Sequence, residues 1–141
     1  MKGWLLDTNV LSEIRRPRPH RKVLAFIAEQ PLDLLYISTV TLAEIRFGIE
    51  VVKDPNRRND LDAWLTNNVR PLFAQRVLEV TEDVVFKWRL LVEQCRKQGH
   101  TFSQPDLFIA ATALHQGLTV VSRDTRAYEH AGVPVMNPWK S

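Results

Sequence analysis

The sequence contains little cysteine, little glycine and no long hydrophobic run. It has one cysteine among 141 residues, so an intrachain disulfide cannot form and a disulfide-stapled secreted scaffold is excluded. Its five glycines argue against a glycine-rich or low-complexity chain. No segment approaches the roughly 18 apolar residues of a membrane-spanning helix. The N-terminal apolar run stops at Asp7, too early for a signal peptide. We therefore expect a cytoplasmic protein without membrane contact, in which Cys95 is buried.

Motifs for zinc and for nucleotide cofactors are also missing. The four histidines do not pair with one another or with the cysteine at a metal-ligand spacing. Neither a P-loop nor a dinucleotide-binding glycine motif occurs. Lysine and arginine number 19 against 16 acidic residues, and the net charge of +3 permits contact with nucleic acid without requiring it. The length and the 45% hydrophobic fraction suit a single domain over residues 1–141.

Predicted strands alternate with predicted helices along the chain. Short apolar runs predict strands at 3–7, 34–37, 76–80, 118–122 and 133–136. Helical spacing and start signals predict helices at 8–16, 20–30, from Ser38 or Thr39 to beyond Val51, from Asp54–Asn56 to Val69, at 81–99 and at 103–117. This alternation is typical of the α/β class, with a mostly parallel sheet of four to five strands covered by helices on both faces.

Four acidic residues lie where such a fold can bring them together. Asp7 ends the first strand, Glu44 lies in the first turns of the helix after the second strand, and Asp124 follows the fourth strand. Asp106 opens the helix before the fourth strand and needs the fold to bring it to the others. Ligands of open parallel sheets bind at the carboxyl ends of the strands. We therefore expect an acidic site at that edge.

Each acid also has a purely structural interpretation. The segments Thr41–Glu44 and Ser103–Asp106 fit the capping box of a helix start. Asp7 could cap the next helix, and Asp124 could be a turn residue. Taken residue by residue, these interpretations compete with an active site.

Clustered carboxylates repel one another unless a cation neutralises them. Oxygen ligands with open positions suit Mg²⁺ or Mn²⁺, which can activate water and stabilise charge on a phosphate. An anionic phosphodiester is the substrate that needs such a cation to enter an acidic pocket. The four acids therefore point to metal-dependent phosphodiester chemistry.

Four stretches of sequence favour the active-site interpretation of the acids over the purely structural one. They are Leu5–Glu13, Ser38–Ile45 with Gly48, Pro105–Ala113 and Gly132–Trp139. In their order and spacing the sequence resembles the PIN-domain ribonucleases, in particular the VapC/FitB-type toxins of bacterial toxin–antitoxin pairs. The resemblance covers both ends and the middle of the chain, and it implies a PIN-like three-layer α/β/α fold.

The resemblance also implies roles for individual residues. Asp7, Glu44, Asp106 and Asp124 match the catalytic, metal-binding acids of the family, and Asp7 and Asp106 are the expected direct ligands. Around them, Thr8, Asn9 and Ser122 would support the carboxylates by hydrogen bonds. The sequence departs from the family at Ala127 and Tyr128, where an Asp-Phe pair is common. An acid sometimes available there is missing, while Asp124 supplies one three residues earlier.

The resemblance implies a Mg²⁺- or Mn²⁺-dependent endoribonuclease that is blocked by a cognate antitoxin. It also implies a homodimer that contacts operator DNA only through the antitoxin complex. The alternative is a non-catalytic PIN module that acts with the antitoxin as a DNA-binding repressor. A phosphotransferase with Asp7 as nucleophile is disfavoured, because Thr8 and Asn9 stand where a second acid is expected.

A basic segment at residues 15–22 offers a second candidate site. It carries five cationic side chains and no acid, and its prolines interrupt helical structure. It could follow an RNA backbone or form a solvated loop between helices, and the two interpretations have equal weight. Arg123 is added to this set because it adjoins the proposed acidic site. The candidate RNA-binding residues are Arg15, Arg16, Arg18, Arg21, Lys22 and Arg123.

Overall fold

The computed structural model describes residues 3–140, which form one sheet with helices on both faces. The strands are β1 (Trp4–Leu6), β2 (Leu35–Ser38), β3 (Val77–Leu78), β4 (Thr119–Val121) and β5 (Val135–Met136). The helices are α1 (Thr8–Arg15), α2 (Arg21–Glu29), α3 (Thr39–Glu50), α4 (Pro55–Trp64), α5 (Arg70–Leu72), α6 (Glu82–Lys97), α7 (Gln104–Gln116) and α8 (Arg126–His130). A 3-10 turn at Leu32–Leu34 precedes β2, and a π-helical turn at Leu65–Val69 joins α4 to α5.

The strands lie in the order β3-β2-β1-β4-β5, and every described pair is parallel. The central strand β1 places Leu5 opposite Tyr36 of β2 and Val120 of β4. The predicted α/β fold with four to five mostly parallel strands is confirmed, and its fifth strand forms at Val135–Met136. Because all strands run in one direction, their carboxyl ends share one edge of the sheet.

Alternating side chains of the central strands divide the core into two clusters. Leu6 and Val121 pack with apolar side chains of α1 to α4 on one face. Leu5 and Val120 pack with side chains of α6 to α8 on the other face. Each fully buried side chain of this kind stabilises the fold by about 1.5–3 kcal/mol. The burial on both faces produces the predicted three layers.

Local signals set the ends of the helices that carry the acids. The Ser38 hydroxyl accepts the Thr41 amide and starts α3, and the Ser103 hydroxyl accepts the Asp106 amide and starts α7. At the other end of α7, Gly117 adopts a φ of +69°, which a residue with a side chain rarely adopts. This turn ends α7 and directs the chain into β4, beside β1.

Two helical segments differ from the sequence prediction. The helix predicted to end near Val69 continues through Pro71, because the π-helical turn shifts the hydrogen-bond register so that the Arg70 amide donates to the Leu65 carbonyl. Pro71 then lies in the first turn of α5, where its missing N–H leaves no bond unmade. The sequence pattern does not predict α8, because five residues are too few to show helical periodicity.

Cys95 is buried in α6, as predicted, with 3% of its surface exposed. Burial raises the pKa of its thiol, so the reactive thiolate is disfavoured. Within residues 3–140, no helix combines the length and the apolar character needed to cross a membrane.

Candidate acidic active site

All four predicted acids line one cavity at the carboxyl edge of the sheet. The cavity has a volume of about 660 Å³, and we call it the acidic pocket. Asp7 leaves β1, Glu44 lies on α3 after β2, Asp106 lies in the first turn of α7, and Asp124 follows β4. Two adjacent parallel strands, the second turn of α3 and the first turn of α7 therefore bring together residues that are far apart in sequence.

Asp7 is the most buried of the four acids, with 4% of its surface exposed. Its Oδ1 accepts the Thr8 amide at 2.7 Å, and its Oδ2 accepts the hydroxyls of Ser122 and Tyr128, each at 2.8 Å. Burial raises the pKa of Asp7, the three hydrogen bonds oppose that rise, and the charge of Asp124 adds to it. The hydrogen bonds thus hold the carboxylate in one orientation, while burial makes its ionised form less favourable.

Ser122 connects Asp7 to the rest of the site. Its hydroxyl donates to Asp7 and accepts from the Asn9 side-chain amide and the Asp124 backbone amide, both at 3.1 Å. Asn9 also accepts the Arg123 amide at 3.3 Å. The predicted support by Asn9 therefore reaches the carboxylate only through Ser122. Thr8 supports Asp7 through its backbone, while its hydroxyl lies 3.4 Å from that of Thr41.

Tyr128 is a site residue that the sequence pattern does not reveal. It is fully buried on α8, and the charge of Asp7 adds to burial in raising the pKa of its phenol well above the usual range. The hydroxyl therefore stays protonated and acts as a hydrogen-bond donor to Asp7. The departure from the common Asp-Phe pair is the one signal at this position, because a tyrosine adds a hydroxyl to a buried ring.

Asp106 combines the two alternatives drawn for it from the sequence. Its backbone amide donates to the Ser103 hydroxyl at 3.3 Å, so the helix-start interpretation is correct. Burial raises the pKa of its carboxyl, followed by the charge of Asp7, and the charges of Asp124 and Glu44 add to the rise. Helix capping therefore places this acid where the other three repel it.

Glu44 and Asp124 are exposed members of the pocket. The capping box considered for Thr41–Glu44 does not form, because α3 is capped three residues earlier by Ser38. Asp124 lies in the turn after β4, where its backbone rather than its carboxylate contacts Ser122. Within residues 3–140, neither carboxylate therefore takes part in the hydrogen bonds that start α3 or form the turn after β4.

The donor set fits a hydrated divalent cation. Among residues 3–140, no three Asp, Glu, His or Cys side chains lie close enough together to enclose a metal ion unaided. Mg²⁺ does not need such an enclosure, because it is usually held by one or two carboxylates and keeps several waters. Asp7 and Asp106 are two carboxylates with raised pKa values in one pocket, which a cation would lower.

The six candidate RNA-binding residues divide into two groups. Arg15, Arg16 and Arg123 line the acidic pocket, and Arg18 lines an adjoining cavity. The other two, Arg21 and Lys22, are exposed in the first turn of α2 and line neither cavity. Residues 15–22 are therefore not one basic surface but the end of α1, a turn and the start of α2.

Glu13 and Trp139 also line the acidic pocket, although sequence reasoning assigned neither a site role. Glu13 is 6% exposed; its carboxylate accepts the His20 amide at 2.9 Å and pairs with Arg16 at 3.2 Å. The His20 amide is the main cause of the lowered pKa of Glu13, and Arg16 adds to it. The available signal was helical spacing, since Glu13 falls three residues after buried Val10 on the inner face of α1.

Comparisons with known proteins identify the family of this chain. The PIN domain family matches residues 4–133. The VapC ribonuclease Y4jK of Sinorhizobium fredii is 39% identical over 136 residues, covering 96% of this chain and 97% of that protein. The toxin FitB of Neisseria gonorrhoeae is 38% identical over 135 residues, with 96% and 97% covered. A solved structure of FitAB bound to an IR36 DNA fragment gives a TM-score of 0.90 at 36% identity, covering 96% of this chain and 95% of that one. This chain belongs to the PIN domain family, in the group of the VapC and FitB toxins.

Proposed function

We propose that this protein is a metal-dependent endoribonuclease that hydrolyses RNA phosphodiester bonds as the toxin of a toxin–antitoxin pair. The observation that carries the proposal is the convergence of four acids on one pocket at the carboxyl edge of the sheet. The similarity over nearly the whole chain to a VapC ribonuclease and to the toxin FitB supports this class of reaction.

Asp7 and Asp106 would hold Mg²⁺ or Mn²⁺, and Glu44 and Asp124 would complete the negative charge around the ion. When bound, such an ion lowers the pKa of water and stabilises negative charge on a phosphate during in-line displacement. The oxygen-only donors and the raised pKa values of Asp7 and Asp106 support this assignment.

The side chains of the pocket contribute orientation and charge. Ser122 and Tyr128 hold Asp7 in place before any substrate arrives, so no reorganisation of this carboxylate is required during the reaction. Arg15, Arg16 and Arg123 on the pocket wall attract the RNA backbone and offset its repulsion by the acids.

The sequence disfavours a nucleophilic role for Asp7, because Thr8 and Asn9 stand where a second acid is expected. Both carboxylate oxygens accept hydrogen bonds, one from Thr8 and the other from Ser122 and Tyr128, and these bonds fix the orientation in which Asp7 would hold the metal. Hydrolysis by water is therefore the proposed reaction, and phosphotransfer through Asp7 is not.

The test is cleavage of total RNA by the purified protein with Mg²⁺ or Mn²⁺. We expect cleavage that stops on chelation with EDTA, and a loss of at least about 100-fold in the Asp7→Asn variant, since metal and electrostatic contributions of this size are usual. Asp62→Asn, which changes an exposed carboxylate on α4, is the matched control and should cleave normally. Equal cleavage by wild type and Asp7→Asn would refute the proposal.

The partners follow from the same group of relatives. We propose an antitoxin as the inhibitor, with operator DNA contacted only through the antitoxin complex, and a homodimer of single PIN domains spanning residues 1–141 in the cytoplasm. The solved FitAB complex on DNA, at 36% identity, supports the antitoxin and DNA parts of this proposal.

That complex also favours a second candidate function, a non-catalytic PIN module that acts with the antitoxin as a DNA-binding repressor. The two candidates are separated by combining the RNA assay with a mobility-shift assay on operator DNA. Retardation of DNA by the toxin–antitoxin complex, together with inactivity of the free protein on RNA, would favour the repressor. Cleavage by the free protein would favour the nuclease.

A further inference from the structure

A second cavity opens beside the acidic pocket and shares a wall with it. It has a volume of about 460 Å³, and we call it the arginine-lined pocket. Its lining residues are Glu13, Arg16, Pro17, Arg18, His20, Arg123 and Trp139. Glu13, Arg16, Arg123 and Trp139 also line the acidic pocket. A chain that occupies one cavity can therefore continue directly into the other.

The arginine-lined pocket carries excess positive charge. Its three arginines face a single carboxylate, that of Glu13, which pairs with Arg16. Within the part of the chain that the structure describes, neither Arg18 nor Arg123 lies within ion-pair distance of a carboxylate. Guanidinium groups in this state are suited to phosphate, which they can bind through two parallel hydrogen bonds.

Trp139 is fixed in the wall between the two pockets. Its ring packs partly buried against the core cluster that contains Leu6 and Val121, and its backbone amide donates to the Asn137 side chain at 2.9 Å. The guanidinium carbon of Arg123 lies 5.5 Å from the centre of the indole ring. A planar guanidinium over an indole is a surface on which an unpaired nucleobase can stack.

We propose that the arginine-lined pocket is a nucleotide subsite of the nuclease. It binds the ribonucleotide next to the bond cleaved in the acidic pocket, with the phosphate on Arg18 and the base stacked on the Trp139–Arg123 pair. The proposal rests on the proposed function, because it requires RNA as the substrate. It also selects single-stranded RNA, since a base in a duplex is already stacked on its neighbours.

The subsite divides the basic segment of residues 15–22 by function. Arg16 and Arg18 belong to the pocket, whereas Arg21 on α2 lies outside it although it is also exposed. Arg21 is therefore the matched control for Arg18: both are exposed arginines of the same basic segment, and only Arg18 lines the pocket.

Binding is measured by fluorescence anisotropy with a labelled single-stranded 12-nucleotide RNA of mixed sequence. All variants carry Asp106→Asn so that the RNA stays intact. We expect Trp139→Ala to weaken binding about tenfold and Trp139→Phe, which keeps an aromatic face, to weaken it no more than about threefold. Arg18→Gln should lower the slope of log affinity against log salt by about one unit, and Arg21→Gln should leave it unchanged.

Stacking is tested by placing abasic nucleotides in the same RNA. Loss of the bases should weaken binding to the parent protein more than binding to Trp139→Ala.

Equal effects of Arg18→Gln and Arg21→Gln would overturn the subsite, as would unchanged RNA affinity in Trp139→Ala. If wild type cleaves RNA while these variants bind normally, the subsite alone fails; if wild type neither binds nor cleaves RNA, the proposed function fails too.

Discussion

The acidic pocket and the arginine-lined pocket share a wall but are built in different ways. In the acidic pocket, the central side chain Asp7 is buried and both of its oxygens accept hydrogen bonds from groups on three segments of the chain. In the arginine-lined pocket, Arg18 and Arg123 are exposed and form no ion pair among residues 3–140. The supporting groups are held by hydrogen bonds, since Glu13 accepts the His20 amide and the Trp139 amide donates to Asn137.

We expect the function of the acidic pocket to depend on the orientation of its side chains and that of the arginine-lined pocket to depend on its positive charge. A buried carboxylate with raised pKa must be oriented before it can hold a cation, so small changes in its surroundings have large effects. Exposed arginines attract a phosphate over a range of positions, and salt screens them. Variants in the two pockets should therefore differ in the size and in the kind of effect.

The largest effect is expected within the acidic pocket itself, between half-buried Asp106 and exposed Asp124. Asp106→Asn should slow RNA cleavage by at least about 100-fold, because the variant removes one of the two carboxylates proposed to hold the metal. Asp124→Asn should slow cleavage only about tenfold, because this exposed carboxylate is proposed to add negative charge around the ion without binding it directly. Initial cleavage rates at saturating Mg²⁺ measure both. Similar losses in the two variants would show that burial does not rank the acids.

The second effect tests orientation by Tyr128. Tyr128→Phe removes one hydroxyl from the core and leaves the ring, so we expect the fold to persist and Mg²⁺ affinity to fall about tenfold, as for other partners of metal ligands. The bond from Tyr128 lowers the pKa of Asp7, so its loss should raise that pKa and move the pH profile of cleavage to higher pH. Calorimetric Mg²⁺ titration and the pH profile check this. An unchanged pH profile would show that Tyr128 packs in the core without influencing the ionisation of Asp7.

Tyr128 also illustrates what the sequence can and cannot predict. The position of Asp7 follows from a short apolar run that ends in an acid, and that of Asp106 from a helix start, so both were predictable from local patterns. The bond from Tyr128 to Asp7 spans 121 residues and depends on the short helix α8, for which no periodic signal exists. Long-range contacts of this kind arise only when both core clusters close around the sheet.

The same limit applies to the arginine-lined pocket. Composition identifies residues 15–22 as basic, but only the folded chain separates Arg16 and Arg18 from Arg21 and brings Trp139 beside them. The tryptophan lies near the end of the chain, after β5, and its place depends on the parallel pairing of β4 with β5. Charge was thus visible in the sequence, whereas the aromatic surface was not.

The third effect concerns the pH dependence of stability without metal. Burial raises the pKa values of Asp7 and Asp106 from an ordinary 3.8. The folded state therefore binds more protons than the unfolded state above that pH, and stability falls as the pH rises through the folded pKa values. In EDTA, the Tm of wild type should be a few degrees higher near pH 5 than at pH 7. Asp62→Asn is the control, because it keeps Asp7 and Asp106 and should show the wild-type difference in Tm. Asp7→Asn should show a flatter profile. Parallel profiles for the three proteins would contradict the cost assigned to ionising Asp7.

The smallest effect is expected for the stability of the arginine-lined pocket. Arg18→Gln should change the free energy of unfolding by less than about 0.5 kcal/mol, because an exposed side chain without an ion pair is removed. Glu13→Gln should cost about 1–2 kcal/mol, because the buried carboxylate holds Arg16 and the His20 amide. Urea denaturation of both variants gives the comparison. If Arg18→Gln destabilised the protein as much as Glu13→Gln, the exposed arginines would be part of the framework, and the division between a pocket built on geometry and a pocket built on charge would not hold.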